Sequence, residues 1–305
     1  MFKIPGLPSP QAHSHELADF IELECVKETS VSARQVLAAL NRIADNDYTD
    51  GVDEEEDIDI GVEEAFSEIE NRIRYTNNRY PFSLDSTGSI LTIRNDDEKT
   101  YWLYVYLLLA TRLNMQSARS FAEIDGTFLF EELSAEIAKN YLGERAESLI
   151  FGTSSGSSDF SDKIDELCGF LKEGCGFRSR TPNPTTAKDG KLDIVVLKHF
   201  YDERAGKLIG FGQCKTGTNW RDKLTQLHPQ TFCSKWLQDM PAFFPIRLFF
   251  LCEALSNKYW YEDSSDSGIL FDRCRCMDFS ENISDELSTK IVQWTKAAIE
   301  HVIAM

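Results

Sequence analysis

Two short runs carry the residue types best suited to chemistry in this chain. Asp193 lies near the start of the β-branched run 191–196 (KLDIVV), while Gln213 and Lys215 end the run 211–215 (FGQCK). An acid, a second oxygen donor and an ammonium on one patch can bind a hard divalent cation and position a water molecule. These residue types therefore predict cation-dependent hydrolysis, provided that the fold brings them together.

The two runs are predicted to pair as a β-hairpin, because a glycine-containing loop separates them. A turn centred near Glu203 sets Asp193 opposite Gln213, since both lie equally far along the chain from that centre. Directly opposed side chains share a face of the sheet, and so do residues two apart on one strand. We therefore expect Asp193, Gln213 and Lys215 to converge, with Cys214 on the opposite face.

This pattern resembles the PD-(D/E)xK, or restriction-endonuclease-like, superfamily, and more narrowly its Mrr-like branch. That branch writes its acid as D-G-x-[IVL]-D and its second motif as Q-x-K, and this chain has DGKLD at 189–193 and QCK at 213–215. The resemblance covers residues 160–255 and implies an α/β fold with a restriction-endonuclease-like αβββαβ core. Gln213 departs from the glutamate usual in the wider superfamily, and a neutral amide holds Mg²⁺ less strongly.

The resemblance also implies a role for each residue of the hairpin. Asp193 would bridge Mg²⁺ or Mn²⁺, Gln213 would supply a neutral oxygen, and the backbone carbonyl of Cys214 would be a further ligand. Lys215 would orient or activate the attacking water and offset charge on the phosphate. The implied activity is metal-dependent hydrolysis of DNA phosphodiester bonds.

An acid from the first helix of the family approaches the metal, and three residues are candidates for it here. Phe130-Glu131, on a helix with a regular apolar face, resembles the Phe-Glu of that family helix and points to Glu131. A later helical stretch, 160–171, directly precedes the run 191–196 and offers Asp165 or Glu166. The spacing leaves the three open.

The charge of the chain is unevenly distributed. The net charge is −18, yet residues 172–223 contain 11 Lys/Arg against six Asp/Glu. Phosphate affinity comes from Lys and Arg, so this stretch is the candidate DNA surface. Within it we expect Lys191, Arg221 and Lys223 to bind the phosphates. The other basic residues around the motifs are Arg178, Arg180, Lys188, Lys198, Arg204 and Lys207.

The acidic excess is concentrated between Asp45 and Glu70, where 13 acids and no base occur. Like charges at this density repel each other and favour an extended loop. Two interpretations stay open: a solvated loop, or a tract that mimics nucleic acid or engages the basic face of a partner.

Hydrophobic periodicity predicts two domains, in keeping with the length of 305 residues. Residues 1–118 are predicted to form a mostly helical accessory domain with helices in 15–44 and 62–74. Its most apolar stretch, 101–113, predicts a buried helix, because it is too short to span a bilayer. Residues 119–305 are predicted to form the nuclease-like domain.

The second domain is predicted to mix helices and strands. Apolar residues at helical spacing predict one helix that begins near Asp125-Gly126 and ends at Leu142-Gly143, and a last helix from about Ser284. The apolar runs 246–251 and 269–276 predict strands. Residues 152–158, rich in glycine and serine, predict a flexible connection.

Eight cysteines occur without a CxxC pair, so the sequence does not predict a zinc site. They are expected to be reduced thiols in packed surroundings. The amino-terminal residues lack the apolar core of a signal peptide, and no membrane role is expected. These features predict a cytoplasmic protein.

Two functions from different classes fit the sequence. The first is a Mg²⁺- or Mn²⁺-dependent DNA endonuclease, which the resemblance associates with bacterial restriction and anti-phage defence. The second is a catalytically inactive module that keeps the nuclease fold to bind nucleic acid or scaffold a partner protein. By analogy with the family, the expected partners are DNA, an ATPase or sensor from the same operon, and further copies of the chain.

Overall fold

The computed structural model describes residues 1–46, 53–94, 96–152, 159–178 and 190–303, with the backbone alone at 45, 46 and 53–56. The helices are α1 (Ser14–Glu28), α2 (Ala33–Asn46), α3 (Asp53–Tyr75), α4 (Glu98–Arg112), α5 (Gly126–Leu142), α6 (Phe160–Leu171), α7 (Pro229–Trp236), α8 (Trp260–Ser267), α9 (Arg273–Asp278) and α10 (Asp285–Ile303). The strands are β1 (Ser30–Ser32), β2 (Phe82–Leu84), β3 (Ile90–Ile93), β4 (Ser120–Phe121), β5 (Ile124–Asp125), β6 (Ala146–Ile150), β7 (Ile194–Lys198), β8 (Leu208–Lys215), β9 (Ile246–Leu251) and β10 (Ile269–Phe271).

A mixed five-stranded sheet organises the second half of the chain, in the order β10-β9-β8-β7-β6. Strands β6, β7 and β8 are antiparallel neighbours, whereas β8, β9 and β10 run parallel. The regular pairs run from Lys198 with Leu208 to Ile194 with Gly212, and Asp193 lies directly before the last pair. The predicted hairpin and the register of its ladder are therefore confirmed for these pairs, and the fold is mixed α/β.

Helices cover both faces of this sheet, so its strands are apolar on both sides, as buried strands require. Ile194 and Val196 of β7 belong to a core cluster that also contains residues of α4, α5 and α10. Val195 and Leu197, which alternate with them, pack instead in a cluster with residues of α6 and α7. Leu192, which precedes Asp193 and β7, also packs in the α6 and α7 cluster, so the strict alternation does not extend beyond Ile194.

The first part of the chain combines helices α1 to α4 with a small antiparallel sheet of order β1-β3-β2. One core cluster runs continuously from these helices into α5, the inner sheet strands and α10. The predicted division after residue 118 lies between α4 and β4, and the two segments share this core. The domain boundary itself stays a prediction.

A buried ionic network joins α1, α3, α4 and α9. Asp19 of α1 accepts hydrogen bonds from Arg72 at 2.8 Å, from Arg112 at 2.8 Å and from Arg273 at 2.8 and 3.0 Å. All four side chains are almost completely buried. Glu22 accepts further bonds from Arg72 and Arg273 at 2.7 and 3.2 Å. The network therefore ties the amino-terminal helices to a helix near the end of the chain.

The structure corrects two expectations and adds one strand. The acidic segment before the helix expected at 62–74 was expected to be an extended loop, but α3 already begins at residue 53, and residues 47–52 lie outside the described chain. The strand expected at 269–276 is short, since β10 ends at Phe271 and α9 starts at Arg273. Strand β6 was not predicted at all, and it shows that α6 is inserted between two neighbouring strands of the sheet.

The other helices agree with the sequence pattern: the structure has α1 and α2 within 14–46, α4 over the apolar stretch, and α5, α6 and α10 close to their expected bounds. Strand β9 matches its predicted range. In the described part of the chain, no helix combines the length and apolar character that crossing a membrane requires.

Candidate active site

A tight turn precedes β7, and Asp193 lies directly before the first residue of this strand. Gly190 and Lys191 both adopt left-handed backbone conformations, with φ of +57° and +65°. A Cβ at Gly190 would lie 2.6 Å from the ring of Phe232, so this position accepts only glycine. The Asp193 amide then donates to the Gly212 carbonyl at 2.9 Å, directly before the first β7–β8 pair, Ile194 with Gly212. Asp189 of the sequence motif lies outside the described residues.

The Asp193 carboxylate faces the end of β8. Its Oδ2 accepts a hydrogen bond from the Cys214 amide at 2.7 Å and lies 3.5 Å from Lys215 Nζ. Lys215 Nζ also donates to the Cys214 carbonyl at 2.9 Å. Asp193 is nearly buried, while the Lys215 side chain is 22% exposed. The acid and the ammonium therefore form a partly open pair at the end of the hairpin.

Gln213 directly follows Gly212, the partner of Ile194 in the ladder, and is fully buried. Among the described residues, neither its side-chain oxygen nor its side-chain nitrogen has a hydrogen-bond partner. A buried amide without partners costs roughly 1–3 kcal/mol. A neutral oxygen ligand has to be free to coordinate a cation, and the Gln213 side-chain oxygen has no competing hydrogen bond among the described residues.

Glu131 of α5 approaches the same region from the other side of the sheet end. Gly152, which follows β6, has so little space that a Cβ there would lie 2.4 Å from Glu131 Oε2. The Gly152 amide donates to the Asp193 carbonyl at 3.1 Å. Glu131 and Asp193 therefore both contact one glycine.

The two other acids predicted as alternatives to Glu131 are directed elsewhere. Asp165 accepts a hydrogen bond from the Phe177 amide at 2.7 Å, and Glu166 is exposed on α6. Since α5 and not α6 directly precedes β6, the chain order also favours Glu131. Of the three candidates, Glu131 is the one whose described contacts connect it with Asp193.

Cys214 contributes its backbone to the site and turns its thiol away from it. The side chain packs against the cluster on the α5 side of the sheet, as the predicted alternation requires. Burial raises the pKa of this thiol well above its usual range, and the carboxylates of Asp193 and Glu131 add to the effect. The side chain is therefore a neutral thiol.

The residues predicted to bind phosphates have different surroundings. Lys191 is exposed in the turn two residues before Asp193. Arg221 is exposed but already paired with Asp263, at 3.1 Å, and its guanidinium lies over the ring of the buried Trp220. Lys223 follows in the same short helical turn. Of these three cations, Lys191 is the one nearest in the chain to the acid.

Two other lysines of the basic stretch do not belong to any phosphate-binding surface. Lys207 is fully buried and donates to the Leu171 carbonyl at 2.8 Å. Lys198 donates to the Leu142 carbonyl at 2.5 Å. Both ammonium groups satisfy carbonyls at the ends of helices, where the helix dipole favours a cation. The basic surface is therefore smaller than the composition suggests.

The donor set has the chemistry of a hard cation site. Among the described residues, no three His, Cys, Asp or Glu side chains cluster as a metal site. The set around Asp193 has only two carboxylates, and its other oxygens come from the Gln213 amide and the Cys214 carbonyl. Mg²⁺ binds proteins through one or two carboxylates and retains waters, so a set with two carboxylates is compatible with it. The unpartnered Gln213 oxygen is the feature that fits a cation best.

Sequence reasoning missed Lys163. This lysine is nearly buried on α6, and its Nζ donates to the Gly152 carbonyl at 2.8 Å. A signal existed, because Lys163 falls within the helical stripe formed by Phe160, Ile164 and Leu167. A lysine on an apolar stripe has to find a polar partner in the interior.

Comparison with known proteins found no significant match to a family model, a curated protein or a solved structure.

Proposed function

We propose that the chain is a metal-dependent endonuclease that hydrolyses DNA phosphodiester bonds on a restriction-endonuclease-like core. The observation that carries the proposal is the end of the β7–β8 hairpin. There Asp193 and Gln213 lie directly beyond the last ladder pair, Ile194 with Gly212, and Lys215 Nζ lies 3.5 Å from the Asp193 carboxylate. An acid, an amide and an ammonium in this arrangement are what the resemblance to the Mrr-like branch implies.

The order of elements supports the same proposal. Helix α5, the antiparallel strands β6, β7 and β8, helix α7 and the parallel strand β9 follow one another in the order αβββαβ. Helix α6 is an insertion in this order, and β10 extends the sheet at its edge. Asp193 and Lys215 lie at the same end of the central strands, where the family carries its motif residues.

Each residue of the site has a proposed role. The carboxylates of Asp193 and Glu131, the Gln213 oxygen and the Cys214 carbonyl would hold Mg²⁺ or Mn²⁺. When bound, such a cation supplies Lewis acidity and a water of lowered pKa. Lys215 would orient the attacking water and offset negative charge on the phosphate. The hydrogen bond from the Cys214 amide keeps the Asp193 carboxylate in place.

The DNA would reach this site along Lys191, with Arg221 and Lys223 as further contacts. Arg221 has to share its charge with Asp263, so we expect it to contribute less than Lys191. Phosphate contacts of this kind weaken as salt rises, because they release counterions from the DNA.

A nicking assay on supercoiled plasmid tests the proposal. We expect cleavage with Mg²⁺ or Mn²⁺, none with chelator, and a loss of about a hundredfold or more in the folded Lys215→Ala protein, in line with removal of one electrostatic group. Lys290→Ala is the matched control, because Lys290 of α10 also forms an ion pair with an acid, Glu132 of α5, at 2.9 Å. Cleavage retained by Lys215→Ala, or absent from the wild type under all metal conditions, would refute the proposal.

The alternative is a catalytically inactive module with the nuclease fold. The observation that favours it is Gln213, which is neutral and fully buried where the wider superfamily has a carboxylate. Metal-dependent binding of plasmid without nicking would support this alternative. The defence role, the operon-encoded ATPase or sensor and the homo-oligomer stay predictions by analogy.

A further inference from the structure

Lys163 occupies an unusual position for a lysine. It is 8% exposed on the inner face of α6, between the buried residues of that helix. Its Nζ donates to the Gly152 carbonyl at 2.8 Å. Burial of an ammonium costs free energy unless it is hydrogen-bonded, so this contact is the one that accounts for the lysine. Lys163 therefore anchors the chain directly after β6.

The anchored segment is also hydrogen-bonded to the backbone of Asp193. The amides of Phe151 and Gly152 both donate to the Asp193 carbonyl, at 2.8 and 3.1 Å. These bonds extend the β6–β7 pairing past the last regular pair, Ile150 with Ile194. The position of Gly152 and that of the Asp193 main chain are therefore linked.

The third contact of Gly152 is with Glu131. A Cβ on Gly152 would lie 2.4 Å from Glu131 Oε2 and 3.2 Å from its carboxyl carbon. The carboxylate thus occupies the space that any other residue at position 152 would fill with its side chain. One glycine therefore contacts a lysine, the backbone of one acid and the carboxylate of another.

We propose that Lys163 and Gly152 position the Glu131 carboxylate beside Asp193, with Lys163 acting through the glycine. Lys163 is then a positioning residue and neither a metal ligand nor a phosphate contact. The geometric part of this inference stands on the contacts above, while its consequence for metal binding rests on the proposed function.

A double-mutant cycle in unfolding tests the geometry without metal. Gly152→Ala adds a methyl group that meets the Glu131 carboxylate. We expect it to raise the unfolding equilibrium constant about fivefold, within the coupling usual for contacting residues. In the Glu131→Ala background the obstruction is gone, so the same change should have little effect. Gly169→Ala on α6 is the matched control, because a Cβ there meets nothing within 4 Å. Additive effects of Gly152→Ala and Glu131→Ala would overturn the inference.

Calorimetric titration with Mn²⁺ tests the consequence for the site. Gly152→Ala and Lys163→Met should each weaken Mn²⁺ binding about tenfold, as losses of supporting contacts around metal ligands do. The direction of the change in Mn²⁺ affinity is informative for Lys163→Met, because removal of a nearby positive charge alone would tighten cation binding. Lys290→Met, which removes an ammonium on α10, should leave the affinity unchanged.

The two proposals fail in different ways. A wild-type protein that neither binds Mn²⁺ nor cleaves DNA refutes the proposed function, while coupling between Gly152 and Glu131 still supports the geometry. Coupling together with unchanged or tighter Mn²⁺ binding in both folded variants refutes the positioning role at the metal site.

Discussion

Of the site residues, Gln213 has the least favourable surroundings in the protein without a ligand. Its amide is fully buried, and among the described residues neither polar atom finds a partner. Asp193, at the same end of the hairpin, is stabilised instead by the Cys214 amide and by Lys215. An amide in such a position lowers stability unless a ligand satisfies it, so its presence favours a functional role.

This leads to a prediction for Gln213→Met. Methionine has a similar size and no unsatisfied polar group, so we expect the free energy of unfolding to rise by about 1 kcal/mol in the absence of metal. Mn²⁺ affinity should fall at the same time, because an oxygen donor is lost. Chemical denaturation and calorimetry measure the two effects. A less stable Gln213→Met protein with unchanged Mn²⁺ affinity would mean that the amide serves packing alone.

Gln213→Glu supplies the complementary comparison. The added carboxylate lies beside Asp193, so the metal-free protein should lose stability through repulsion and regain it when Mn²⁺ binds. A loss of stability that Mn²⁺ does not reverse would indicate that residue 213 faces the core and not the cation.

At the scale of secondary-structure elements, the sequence predicted the helices and strands whose hydrophobic pattern is local and strong. The hairpin was predicted from two apolar runs around a glycine-containing loop. Its register was predicted from equal distances along the chain on either side of the turn centre. Strand β6 was missed because Ala146–Ile150 is a short edge strand with Glu147 and Ser148 in it, which lack a clear alternation. Helix α9 was missed because Cys274 and Cys276 suggested the two-residue period of a strand, and burial by tertiary packing overrides such a short pattern.

The same reasoning explains which site residues were predictable. Asp193, Gln213 and Lys215 lie on two strands joined by one turn, so their spacing in sequence sets their spacing in the sheet. Glu131 depends on which helix precedes the first strand, and without β6 that question had no answer. The contact between Lys163 and Gly152 arises from the packing of α6, which periodicity does not specify.

The acidic start of α3 carries the next prediction. Residues 53–57 form the beginning of a helix, where the dipole favours acids by about 0.3–1 kcal/mol each. Replacement of these five acids by amides should therefore destabilise α3 slightly. If the tract competes with DNA for the surface around Lys191 and Arg221, the replacement should also tighten DNA binding at low salt. That gain should shrink as salt rises, because the Debye length is only about 8 Å at physiological ionic strength.

Fluorescence anisotropy with a labelled duplex measures this effect. The control neutralises five exposed acids spread over other elements, so that the change in net charge is the same: Glu28, Asp96, Glu98, Glu281 and Glu286. An equal gain in DNA affinity in the α3 variant and in the control variant would mean that only the net charge of the protein matters. A gain in neither would leave the acids of α3 as a solvated helix start.

At the scale of the whole molecule, the amino-terminal helices and the sheet are held together by more than apolar packing. The core cluster is continuous between them, and Arg273 of α9 reaches Asp19 and Glu22 of α1 within it. Tyr80 and Tyr104 also donate to Glu22, at 2.6 and 2.8 Å. A network of buried charges tolerates the loss of one member poorly, because its partners stay buried without compensation.

Asp19 should therefore dominate the acid sensitivity of the fold. Burial alone raises the pKa of its carboxyl, but the guanidinium groups of Arg273, Arg112 and Arg72 outweigh burial and hold that pKa well below its usual range. A carboxyl with a depressed folded pKa contributes stability above its unfolded pKa of about 3.9, and that contribution is lost as the pH falls below it. Asp19→Asn should lower the free energy of unfolding by about 3–5 kcal/mol at neutral pH, because it leaves buried guanidinium groups unpaired.

The pH profile separates this role from a general loss of packing. Urea unfolding from pH 6 downwards should show the difference between wild type and Asp19→Asn narrowing below about pH 4, where the unfolded wild type takes up the proton. Asp272 and Glu68, whose pKa values burial raises, act in the opposite direction in both proteins. Asp222→Asn, at an exposed position, should follow the wild-type curve. A difference between wild type and Asp19→Asn that stays constant through the acid range would mean that the Asp19 charge does not stabilise the fold, and that the network acts through shape alone.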